Sequence, residues 1–187
     1  MEHWSKKRRI MYRYDLTAGI YDMRYEEEQT AKIEAALKND AAKASGLVLD
    51  VGCGTGLLFQ YIAEKSAGVI GLDISKKTLT NAKKRAQKFK NVHIVLADAD
   101  HMPFKDALFD VVYAFTVIQN MPNPQDTLAE IRNVARVDST IVVTALKKCF
   151  SQHTFISALE TAGLRIESLE DESDLKCHVA VCQKLHP

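Results

Sequence analysis

Short runs of consecutive Val, Ile and Leu alternate along this chain with stretches in which apolar residues return every three or four positions. The runs at 47–51, 69–73, 92–97, 109–115 and 140–145 are short and rich in β-branched residues, so each predicts a buried strand. Between them, the segments from 57 to about 68, 75–89 and 124–135 predict helices. Ser75 supplies an N-cap for the second of these, and Leu79, Ala82 and Ala86 share one of its faces. A further helix, 151–162, is stopped by Gly163. Two last strands, near 165–169 and 178–183, have only a short charged turn between them. Continuous apolar runs mean cover on both faces and a mainly parallel sheet, whereas the final pair is expected as an antiparallel hairpin at an edge. Upstream, the chain reads as helical to about Lys43, with 26–37 amphipathic and Tyr12, Tyr14, Tyr21 and Tyr25 concentrated there. The expectation is one α/β domain over 1–187, in which residues 1–43 cover a site carried by the core of 44–187.

Composition agrees with that picture. At 187 residues, 47% hydrophobic and 26% charged, the chain is ordinary for a globular domain with a substantial core. A formal net charge of +1 gives no strong global attraction to nucleic acid or to a membrane surface. No apolar run approaches the roughly 18 residues that span a bilayer, and the basic first residues lack the apolar stretch of a secretory signal. Cys53, Cys149, Cys177 and Cys182 show no Cys-x-x-Cys spacing. Reduced thiols, no metal site and a cytoplasmic location are therefore expected.

The chemistry concentrates at the first strand. Asp50-Val51-Gly52-Cys53-Gly54-Thr55-Gly56 runs from its end into a glycine-rich turn, with a helix expected from about Leu57. A nicotinamide dinucleotide would call for Gly-x-Gly-x-x-Gly, but here the third glycine comes one residue early, and Asp50 would repel a pyrophosphate. Asp73 ends the second strand roughly 20 residues beyond the first glycine, where a carboxylate accepts ribose hydroxyls. Asp98 follows the third strand, placed to accept from an exocyclic adenine amine. Together the three carboxylates suit a positively charged nucleoside without phosphate.

These pieces, with Gly71-Leu72-Asp73-Ile74-Ser75, Ala97-Asp98-Ala99, Met102-Pro103-Phe104 and 109–115, resemble the class I S-adenosylmethionine-dependent methyltransferases. The branch they resemble contains the ubiquinone and menaquinone biosynthesis enzymes. The resemblance implies a Rossmann-like seven-stranded sheet whose last strand is antiparallel, with helices on both faces, and S-adenosyl-L-methionine as cofactor. It also implies a site in which Asp50, Gly52, Cys53, Gly54 and Gly56 seat the methionine end and Asp73 holds the ribose. Ile74, Asp98 and Ala99 would surround adenine, Phe115 would lie near the sulfonium, and Tyr21 would close over the cofactor.

The acceptor is not legible in this pattern. Where many relatives carry Glu-His after the fourth strand, this chain has Gln119-Asn120, and neither side chain takes a proton at neutral pH. Asn120 is a candidate for orienting a substrate, and His153, near the start of the helix after strand five, is a weak candidate base. Asn120-Met121-Pro122-Asn123 has a superficial likeness to the Asn-Pro-Pro-Tyr box of amino-group methyltransferases, but that box follows strand four directly, where this chain has Phe115-Thr116-Val117. With only Lys147 to Phe150 between strand five and its helix, no inserted lid is expected, leaving the N-terminal segment as cover. Lys6, Lys7, Arg8, Arg9, Arg13, Lys147 and Lys148 are either a basic rim that attracts polyanions or solvated surface charge offset by Glu26-Glu27-Glu28. An open crevice favours a macromolecular acceptor, protein or RNA, while a small molecule covered by the N-terminal helix stays open, as does a small activating partner protein or a non-catalytic, partner-stabilising role.

Overall fold

A computed structural model describes residues 2–184, apart from the side chains of Glu2, Tyr21 and Arg24. Seven strands form one sheet: β1 Leu47–Val51, β2 Gly68–Asp73, β3 Val92–Leu96, β4 Phe109–Phe115, β5 Ala135–Leu146, β6 Leu164–Glu170 and β7 Cys177–Lys184. Their spatial order is β3-β2-β1-β4-β5-β7-β6. The first five are parallel, and β7 runs antiparallel to both neighbours. The expected hairpin therefore has β6, not β7, at the edge. Burial explains the choice, because β7 hides six consecutive residues while only the first residue of β6 is buried.

Six α-helices lie among the described residues: α1 Glu2–Thr17, α2 Tyr21–Leu37, α3 Phe59–Ile62, α4 Lys76–Ala86, α5 Pro124–Val134 and α6 Gln152–Thr161. Successive strand residues divide between two cores. Val48, Val111, Tyr113 and Val142 pack with α2, α3 and α4 on one face. Leu49, Val112, Ile141 and Val143 pack with α5 and α6 on the other. The continuous apolar runs thus serve two layers at once. β1 has its neighbours β2 and β4 on opposite sides, so the chain reverses there and a crevice opens beyond its carboxyl end.

Two local readings differ from the structure. The helix expected from Leu57 is a single turn, Phe59–Ile62. Leading into it, Gly56 N donates to Cys53 O, Phe59 N to Gly56 O and Tyr61 N to Leu58 O, so the loop winds by three-residue steps that a regular helix cannot continue. β5 begins five residues early, because Ala135 pairs with Phe109 before a register shift. Asp138, at φ 61°, and the bond from Ser139 Oγ to Arg136 O shape that irregularity.

Candidate active site

β1, β2 and β4 all deliver their last residues to the crevice. Gly54, in the turn after β1, has φ 55°, and a Cβ built there would meet no atom closer than 3.9 Å. Its bare face therefore opens on the crevice, where a side chain would fill space available to a ligand. Gly56 has a different job, since a Cβ there would run into the ring of Phe59 beneath the loop. The loop is tied from outside by α2. Asp22 accepts from Thr55 Oγ1 at 2.6 Å and pairs with Arg85 at 2.8 Å, and Arg85 also donates to Thr55 O.

Two buried carboxyl groups set the electrostatic character of the crevice. Asp50 is 3% exposed, and no hydrogen bond or ion pair reaches its carboxylate among the described residues. Burial, then the nearby charge of Asp73, pushes its carboxyl well above the ordinary range. Asp73 accepts from Gly54 N at 3.0 Å and from Ser75 N at 2.8 Å. Burial still raises its pKa, outweighing those amide bonds. Neither acid has a cationic partner among the described residues. A carboxylate shut away from water without a countercharge is expensive, so the crevice is chemically matched to a positively charged, hydroxyl-bearing ligand. Cys53 lies beside them, its thiol pushed well up by burial and then by Asp50 and Asp73, and so kept protonated.

The structure brings most of the expected residues together. Gly52, Gly54, Asp73, Ile74, Asp98, Ala99, Phe115 and Asn120 line one pocket. Asp50, Cys53, Gly52, Gly54 and Phe115 line a second that meets it across the glycines. Gly56 belongs to neither, and His153 is exposed on α6, away from both. Tyr21 opens α2, but its side chain lies outside the described residues.

Several lining residues were not singled out in the sequence. α1 crosses the mouth of the crevice and contributes Lys7, Ile10 and Tyr14 to its wall. Their spacing, i, i+3 and i+7, is a helix face, and that periodicity was the available signal. Lys7 is not a rim charge as expected. It is 7% exposed and bridges Asp98 at 2.6 Å and Asp100 at 2.5 Å. Burial works to lower its pKa, but the two carboxylates outweigh this and hold the ammonium charged. α1 is fastened further by Lys6 to Met121 O at 2.9 Å, Asp15 to Ser75 Oγ at 2.5 Å, and Asn81 to Ala18 O at 2.9 Å.

On the far side, Asn120 donates to Tyr14 Oη and to Thr116 O, each at 3.0 Å, and accepts from Arg13 at 3.3 Å. Its amide is thus occupied in joining α1 to the segment after β4. Thr116 has φ 57°, strained for a β-branched residue, with its N–H held by Thr144 Oγ1 at 2.8 Å. Burial raises Tyr14, so its phenol stays protonated near neutrality. No histidine lines the crevice or the cleft beside it among the described residues.

A mainly parallel sheet with its antiparallel strand inserted next to the edge, and an acidic crevice beyond β1 and β2, define the S-adenosylmethionine-dependent methyltransferase class. The chain belongs to the methyltransferase domain family, which matches residues 49–143. It is 30% identical over 146 residues to the malonyl-[acyl-carrier protein] O-methyltransferase of Marinomonas, covering 77% of this chain and 54% of that protein. It is 35% identical over 109 residues to the demethylmenaquinone methyltransferase of Tropheryma whipplei, covering 58% of this chain and 45% of that protein. This chain spans about half the length of these curated relatives. Among solved structures, it superposes with a TM-score of 0.81 and 17% identity on the Haloferax volcanii chain in a complex with the Trm112 methyltransferase activator, covering 93% of this chain and 96% of that one. No helix among the described residues is long and apolar enough to cross a membrane.

Proposed function

We propose that this chain transfers the methyl group of S-adenosylmethionine to an acceptor by in-line displacement. The observation that carries the reading is the pair Asp50 and Asp73, two desolvated carboxylates without a cationic partner among the described residues, flanking the open face of Gly54. When bound, S-adenosylmethionine would supply a sulfonium methyl whose carbon an acceptor's lone pair attacks, the carbon–sulfur bond breaking with its electrons kept on sulfur and S-adenosylhomocysteine leaving.

The residues then divide the work. Asp73 accepts the ribose hydroxyls, and Asp50 offers its charge to the methionine ammonium. Ile74 and Ala99 flank the adenine ring, and Asp98 shares its carboxylate between Lys7 and the adenine amine. Phe115 and Tyr14 exclude water at the methyl end, which favours alignment at roughly 3 Å over hydrolysis. No residue in reach is a good base. Burial pushes Glu28 up, but Lys32 and Lys176 outweigh it and hold its carboxyl below the ordinary range. The acceptor atom therefore arrives unprotonated or loses its proton to solvent.

Calorimetry tests this reading. Micromolar binding of S-adenosylmethionine or S-adenosylhomocysteine is expected, lost in Asp73→Ala and absent for NADH; tight NADH binding would sink it. Radiolabelled methyl incorporation into fractionated RNA, protein and metabolites then identifies the acceptor. The architecture shared with the Haloferax chain supports a second reading, in which a small activating protein associates with this one and the chain's role is to bind cofactor within that pair. Co-purification at a fixed ratio, with methyl transfer dependent on the added protein, is its expected outcome.

A further inference from the structure

Beside the crevice lies a cleft of about 830 Å³, which shares Tyr14, Thr116 and Asn120 with it. Its charged lining is Arg13, Glu28, Lys32, Lys147, Lys148 and Lys176, five cations against one carboxylate. These come from four separate stretches: α1, α2, the segment after β5 and the turn before β7. In a chain whose formal net charge is +1, such a convergence into one concavity is a local excess.

The ion pairs do not cancel it. Lys32 and Lys176 share Glu28, at 2.6 and 3.3 Å, so one positive charge is left over from that trio. Lys147 pairs with Asp171 at 2.8 Å. Among the described residues, neither Arg13 nor Lys148 reaches a carboxylate. Arg13 is nonetheless fixed in place, with its guanidinium 5.3 Å over the Tyr14 ring and 3.3 Å from Asn120 Oδ1, at the boundary between cleft and crevice. The crevice is lined instead by the carboxyl groups of Asp50, Asp73 and Asp98, of which only Asp98 has a cationic partner among the described residues. A basic cleft adjoining a carboxyl-lined crevice sorts an anionic ligand from a cationic one.

We infer that the methyl acceptor is a small molecule carrying an anionic group, a carboxylate or a phosphate, which Lys148 and Arg13 hold in this cleft. The inference rests on the methyl-transfer reading of the crevice and adds the class of acceptor to it. The anion anchors the acceptor on the basic side, while its nucleophilic atom faces the end of β4. That arrangement supplies by positioning what the site lacks in a general base.

The test titrates the full chain, loaded with S-adenosylhomocysteine, by calorimetry at low ionic strength. Pyrophosphate represents the phosphate source, citrate the carboxylate source and spermidine the cationic control. At least one of the two anions is expected to bind, and the tighter one tells which source the cleft prefers. Lys148→Glu, and independently Arg13→Gln, should weaken that anion about tenfold or more. Lys84→Glu, an exposed change on α4 outside the lining of the cleft, should leave it unchanged. No binding by either anion overturns the inference, as does equal weakening by Lys84→Glu and Lys148→Glu, or preferential binding of spermidine. Failure to bind S-adenosylhomocysteine would instead count against the methyl-transfer reading, and the anion titration on the unloaded chain would still report on the cleft.

Discussion

Lys7 Nζ lies 2.7 and 2.6 Å from the two carboxylate oxygens of Asp98, joining α1 to the wall of the crevice it covers. The side chains are 8% and 19% exposed, so salt screens the contact poorly. Asp100, the second partner, is braced in turn by Thr127 from α5. The cover is therefore latched by charge, and its outer face contributes little to the core.

Lys7→Met removes the cation and strands the buried Asp100 and the half-buried Asp98, which costs about 3–5 kcal/mol where both elements stay docked. α1 has an easier escape, because lifting off returns those carboxylates to water. Hydrogen exchange is expected to show lost protection across Glu2–Thr17 with the sheet still protected. Unchanged protection in α1 would mean that the latch does not hold the cover.

Asp50 makes the protein without ligand respond to pH in an unusual direction. Because its carboxyl is raised by burial, the folded chain binds that proton more tightly than the unfolded chain does. The associated stability is present below the unfolded carboxylate value and disappears as pH rises through the folded one. Lowering the pH from about 7 to about 5 should therefore raise Tm more in the parent than in Asp50→Asn. Asp110 acts oppositely: the Leu47 amide and Arg136 lower it, so its contribution is lost only in stronger acid. Parallel Tm profiles for parent and Asp50→Asn would contradict the assignment.

The two loop glycines should separate function from packing. Gly54→Ala meets open space and suffers mainly the left-handed backbone, about 1–2 kcal/mol by denaturant unfolding. Its methyl also enters the ligand's space, so cofactor affinity should fall by about tenfold or more, measured by calorimetry. Gly56→Ala adds a collision with the Phe59 ring and should cost more stability than Gly54→Ala.

His153→Ala is the negative control for base catalysis. The side chain is exposed on α6 and lines neither the crevice nor the cleft. Stability should change by no more than about 0.5 kcal/mol, and cofactor affinity and methyl incorporation should stay within about twofold. A large loss of incorporation with binding intact would restore the histidine to the mechanism.

The core was legible because apolar runs translate directly into strands; β4 occupies the stretch 109–115 that its sequence predicts. Asp50, Asp73 and Gly54 were legible for a related reason, since their places at strand ends follow once the strands are known. Lys7 was not. Among Lys6, Lys7, Arg8 and Arg9 it looks like one more solvated charge, and only the docking of α1 turns it inward against residues 91 positions away. The same holds for Tyr14 and Asn120, 106 positions apart, whose contact depends on tertiary packing that local periodicity does not encode.

The position of β7 has a kinetic consequence. It fills the gap between β5 and β6, so β6 has no strand partner until residues 177–184 arrive. During synthesis, every earlier strand can emerge while that slot stays empty, leaving the edge of β5 open to any extended segment nearby. Completion of the sheet must wait on contacts that are far apart in sequence, which makes it slow relative to forming the helices. A chain of this order is exposed to mispairing until its seventh strand inserts.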